Sequence, residues 1–127
     1  ERTKKKDLYF TDDHEWIEFQ GAIAYIGISL FKLIGFKQIQ EISFNETAGF
    51  IKKGEKIATL KYNDYCISVH MPVEGKILQV NDRLVGGNPN FLLDCAESSG
   101  WIAMIAPTLP HDRDDLIHPK KYRFKQK

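Results

Sequence analysis

Short stretches of alternating apolar and polar residues, punctuated often by glycine and proline, run through most of this chain. That pattern predicts many short strands and a mainly β domain with short helices. Strands are expected at Trp16–Phe19, Ala22–Ile28, Ile39–Phe44, Ile57–Tyr62, Tyr65–Met71, Lys76–Val80 and Trp101–Ile105, with a tight turn at Gln20-Gly21. A helix is expected over Ser29–Phe36, where Ser29 can cap and Leu30, Phe31, Leu33 and Ile34 form an apolar side. Asn88-Pro89 signals a second short helix, asparagine being a good cap and proline a good first residue. A third is expected from about Asp112 to Ile117, ending before Pro119.

One hairpin can be placed by periodicity alone. With a two-residue turn at Asn63-Asp64, Tyr62 faces Tyr65, Leu60 faces Ile67 and Ala58 faces Val69, all on one apolar face. Thr59, Lys61, Cys66, Ser68 and His70 then share the opposite, polar face, with Ile57 at its end. A slip of one residue would mix the two sets, so the pattern fixes the apex at Asn63-Asp64. Both residues tolerate the left-handed backbone of tight turns. Gly54-Glu55-Lys56-Ile57 and Glu74-Gly75-Lys76-Ile77 repeat a glycine turn before an apolar strand, which hints at two related units flanking the hairpin.

Size and composition are those of one soluble domain: 127 residues, 43% hydrophobic and 28% charged. No apolar run is long enough to span a membrane, and Glu1–Lys6 lacks the apolar stretch of a secretory signal, so a cytoplasmic protein is expected. The start also lacks methionine, as a processed or trimmed end would. Cys66 and Cys95 form no paired-cysteine motif and read as free thiols. The net charge of +1 conceals basic ends. Residues 1–7 and 119–127 carry +2 and +5, whereas residues 8–118 hold nine basic and fifteen acidic side chains. An acidic body disfavours nucleic acid as a partner. The expected organisation is a single domain over 8–118 between a basic N-terminal end (1–7) and a basic C-terminal tail (119–127).

Few residues suggest chemistry. Asp12, Asp13, His14 and Glu15 are neighbours, and alternation along a strand would point them apart, so they read as a structural turn and not a metal site. His70 reads as a structural histidine on a strand. Cys66 lies about 13 Å from it, too far for a thiolate–imidazole pair. His111–Asp115 reads as a helix start with acidic side chains favoured by the dipole. No phosphate loop, nucleophile elbow or zinc spacing is present. Neither a catalytic residue nor a metal ligand is therefore assigned.

Several segments in one order resemble the glycine cleavage system H protein family. They are Asp13-His14-Glu15-Trp16, Gly21, Gly27-Ile28, Phe31, Gly54-Glu55, Met71-Pro72-Val73-Glu74-Gly75, Val80-Asn81, Asn88-Pro89, Gly100-Trp101-Ile102 and Pro107. The resemblance implies a lipoyl-domain-like flattened barrel-sandwich hybrid of two antiparallel sheets with short helices. It also implies a carrier without chemistry of its own. Such a carrier holds lipoate on a hairpin-apex lysine and presents it to the glycine cleavage enzymes.

Counted back from Pro72 without a gap, that lysine position falls on Asp64, and Lys61-Tyr62-Asn63-Asp64-Tyr65 replaces a Glu-Ser-Val-Lys-Ala type apex. Lys61 is a weak substitute, three residues and about 10 Å from the apex. The expectation is a non-catalytic binding or regulatory module without lipoate. Its contact residues would be Tyr62, Asn63, Asp64 and Tyr65, and its partners glycine cleavage enzymes or a lipoate ligase. The alternative is a lipoyl carrier of glycine decarboxylation that uses Lys61 or another lysine.

Overall fold

Gly21 adopts a left-handed φ of 66° and closes the first long hairpin, in which β2 (Glu15–Gln20) pairs antiparallel with β3 (Ile23–Ile28). Gln20 pairs with Ile23, so the turn occupies Gly21 and Ala22, one residue later than expected. The computed structural model describes residues 8–45, 48–85, 90, 92–97, 100–108 and 116–117. The remaining strands are β1 (Tyr9–Phe10), β4 (Glu41–Phe44), β5 (Gly49–Ile51), β6 (Lys56–Tyr62), β7 (Tyr65–His70), β8 (Gly75–Val80) and β9 (Ala103–Pro107). Short helices lie at α1 (Asp82–Val85) and α2 (Leu92–Cys95).

Two antiparallel sheets result, one of six strands in the order β1-β2-β3-β9-β8-β5 and one of three in the order β4-β6-β7. This is the expected barrel-sandwich arrangement. Between the sheets lies one apolar core in which Ile17, Ile26, Ile28, Ile57, Leu60, Val69, Met71, Ile77 and Ile105 are almost wholly buried. Burying each such large side chain contributes about 1.5–3 kcal/mol. A smaller cluster of Leu8, Phe10 and Trp16 is packed by Tyr25, Phe31, Trp101 and Ile117. Trp16 is tied there by its indole N–H, which donates to the Ala96 carbonyl at 2.9 Å. It also lies so close to Gly27 that a Cβ there would meet the ring at 2.5 Å.

Several expectations need correction. β1 and β5 are additional strands of two and three residues, too short for alternation to reveal. Ser29–Phe36 is not an amphipathic α-helix but one 3-10 turn at Leu30–Leu33. Ser29 does cap it, its Oγ accepting from the Phe31 N–H at 3.1 Å. A single turn buries only Leu33, leaving Leu30 47% and Ile34 76% exposed. Ile117 forms a bridge to Phe10 where a helix end was expected.

The rest of that third helix, the Asn88-Pro89 signal and both basic ends lie outside the described residues. The repeated glycine turns are physically unlike. Gly54 turns with φ 88°, whereas Gly75 lies within β8, against the Ala106 carbonyl of the paired strand β9 in the same sheet. No helix of the described residues is long and apolar enough to cross a membrane.

Candidate functional site

The hairpin of β6 and β7 has the register that alternation dictates: Tyr62 opposite Tyr65, Lys61 opposite Cys66, Leu60 opposite Ile67 and Ala58 opposite Val69. Leu60, Ala58 and Val69 are buried, which anchors the strands and projects the turn. A bulge between Lys56 and Ala58 buries Ile57 as well, although alternation alone would leave it with the polar set. Asn63 takes the left-handed conformation, φ 53°, at the first turn position. Asp64 occupies the second and is exposed.

The apex is held from the side. The Asn63 N–H donates to Gln40 Oε1 at 2.8 Å, and Gln40 Nε2 donates back to Asn63 Oδ1 at 3.3 Å. Gln40 is itself fixed by its own N–H, which donates to the Lys61 carbonyl at 2.8 Å. Beside this clamp, Phe36, Tyr62 and Tyr65 form a ring triad with centroids 6.0, 6.1 and 6.3 Å apart. Tyr65 remains 59% exposed. The structure therefore brings Tyr62, Asn63, Asp64 and Tyr65 together on one presented tip and adds Phe36 and Gln40. Lys61 is exposed but sits within the ladder, in register with both Cys66 and Glu41.

A second constellation lies at the other end of β7, about 20 Å from Asp64 at the usual strand rise. His14 has φ 62°, and this left-handed step lets Asp13 and Glu15 turn to the same side. They meet Lys32 from the 3-10 turn and His70 from the smaller sheet. The Lys32 ammonium lies 2.7 Å from Asp13 Oδ2 and 2.9 Å from Glu15 Oε2, and also donates to the Asp13 carbonyl at 2.9 Å. Glu15 Oε2 further accepts from the His70 backbone N–H at 2.8 Å, with His70 Nδ1 2.9 Å away. Asp13 and Glu15 thus converge, contrary to the expectation from strand alternation, while Asp12 is not part of the cluster.

Burial drives the Glu15 carboxyl above its ordinary range, opposed by Lys32 and by the hydrogen bonds from His70. Partial burial would also raise Asp13, but hydrogen bonding and attraction to Lys32, with the nearby His70, bring it below its ordinary range. Asp13, Glu15 and His70 place potential ligand atoms within 4.8 Å of one another, as a metal would require. Here Lys32 supplies the positive charge, directing all three of its donors to Asp13 and Glu15. An open cleft of about 520 Å³ borders this cluster and is lined by Lys53, Gly54, Met71 and Pro72. Sequence reasoning missed the cluster because its partners come from three separated elements; the only local signal was the Asp-x-Glu spacing.

Comparison with known proteins matches residues 8–127 to the family described as Glycine cleavage H-protein. The chain is similar to a probable glycine cleavage system H protein of Aeropyrum pernix, with 30% identity over 93% of this chain and 82% of the relative. It is 33% identical to a glycine cleavage system H protein of Caulobacter vibrioides, over 91% and 94% of the two chains. A crystal structure of the Mycobacterium marinum glycine cleavage system H protein superposes with a TM-score of 0.80. It covers 97% of this chain and 98% of that one at 20% identity, a likeness of fold.

Proposed function

We propose that this chain, which belongs to the glycine cleavage H-protein family, is a binding or regulatory member that carries no lipoyl group. The observation behind this reading is the apex itself, where Asn63 and Asp64 occupy both turn positions. Attachment of lipoate forms an amide with a lysine amine; the Asp64 carboxylate has no nitrogen to acylate. The tip residues therefore do not fit the group, and no transfer step is assigned to them.

What the tip retains is a rigid, presented surface. The Gln40 clamp and the ring triad fix its shape, and Tyr65 and Asp64 face outward. We infer that it docks onto a partner of the true carriers, a glycine cleavage enzyme or a lipoate ligase, without delivering cargo. The Lys32 network supports a scaffold role for the other end of β7, and no metal is assigned there.

The alternative keeps the carrier activity and modifies Lys61 or another lysine, Lys61 being favoured only by its exposure. Its ladder position beside Cys66 and Glu41 counts against it, because the amine is not at the bend. Sedimentation of the purified protein with glycine cleavage enzymes and with a lipoate ligase tests the docking reading. A complex weakened by Tyr65→Ser supports it; sedimentation of every mixture as separate components contradicts it.

A further inference from the structure

We propose that the tip formed by Phe36, Tyr62, Asp64 and Tyr65 is a receptor for an arginine side chain of a partner protein. This names the partner chemistry of the docking surface and rests on the docking reading above.

Three features lead to a cation. The triad presents aromatic faces, whose electron-rich centres attract positive charge, and Tyr65 offers the most accessible one. Asp64 is adjacent in sequence to Tyr65, is exposed, and has no ion-pair partner among the described residues. Lower in the ladder, Lys61 is in register with the oppositely charged Glu41. Asp64 is the charged residue of the two-residue turn itself, and it belongs to a body with an excess of acidic groups.

Arginine fits better than lysine. A planar guanidinium can stack on the Tyr65 ring while its N–H edge meets the Asp64 carboxylate in a two-point contact. An ammonium group must make the same approaches as a point charge. Ile34, two residues before Phe36 in the chain, is 76% exposed, and the leucines of the probe peptide are chosen to meet such an apolar neighbour. Because Gln40 holds the turn in place, little ordering remains to be done on binding.

The test is an NMR titration of the full chain with acetyl-Leu-Arg-Leu-amide and with the same peptide bearing citrulline, which keeps the shape but not the charge. The arginine peptide should shift the Tyr62, Asp64 and Tyr65 signals saturably in the millimolar range, and citrulline should bind at least fivefold more weakly. Asp64→Asn should weaken the arginine peptide roughly threefold and the citrulline peptide by a smaller factor. Tyr65→Leu should weaken the arginine peptide by a similar factor. Unmoved signals elsewhere in each variant establish that its fold is intact.

Equal binding of the two peptides, or no saturable shift at the tip, overturns the proposal. A positive titration without any complex with glycine cleavage enzymes or ligase leaves the arginine site standing and removes the docking reading. A complex insensitive to Asp64→Asn does the reverse.

Discussion

Gln40 and Asn63, separated by 23 residues, exchange two hydrogen bonds through their amide groups, 2.8 Å in one direction and 3.3 Å in the other. One satisfies the backbone N–H of a residue in the left-handed conformation; the other fixes that residue's side chain. Gln40→Ala is expected to cost about 0.5–1.5 kcal/mol in denaturant unfolding. Amide exchange should accelerate at Asn63 and Asp64 more than in the strand residues Leu60 and Val69. Asn63→Gly keeps the permitted backbone and the N–H donor, so its cost should be smaller than that of Gln40→Ala.

Gly27 is set by the Trp16 ring and not by a turn. A Cβ at this position would meet the buried indole at 2.5 Å, and that ring is held by its bond to Ala96. Gly27→Ala should destabilise the protein by about 1–3 kcal/mol. Trp16 fluorescence in the native state should change with it.

The Lys32 network gives a pH-dependent prediction. Lys32→Met leaves Glu15 buried without its cation and should cost about 3–5 kcal/mol at neutral pH. The Glu15 carboxyl is raised in the fold, so folding disfavours its ionisation, and stability falls as pH rises from its ordinary value of 4.5 through the raised value. Asp13 is lowered, so its contribution is present above its ordinary value of 3.8 and is lost as pH falls through the lower folded value. Removing Lys32 enlarges the first effect and diminishes the second. The destabilisation caused by Lys32→Met should therefore shrink as pH is lowered from 7 toward 4 in urea titrations.

The β6–β7 hairpin was legible in sequence because a period of two admits only one register between apolar and polar sets. The two-sheet architecture followed from the same spacing together with the family resemblance. What escaped was set by tertiary contacts. The positive φ at His14 overrides strand alternation and draws Asp13 and Glu15 toward Lys32 and His70. Leu30 and Ile34 looked like a buried helix face, but a single 3-10 turn cannot turn both inward. Gln40 and Phe36 lie well before the hairpin they support, so nothing local marked them as parts of the tip.

Replacing Asp64 with lysine restores an amine at the bend. With the Gln40 clamp intact, Asp64→Lys is expected to gain mass by one lipoyl amide when co-expressed with a lipoate ligase, whereas Lys61→Arg in that background should not prevent the gain. Fragmentation of the modified protein should locate the group at position 64.

The central claim is tested most directly by the intact mass of the unaltered protein from the same co-expression, measured beside Asp64→Lys. The account predicts a lipoyl adduct on the variant and an unmodified wild-type chain. A wild-type chain carrying lipoate on Lys61 or any other lysine would contradict it.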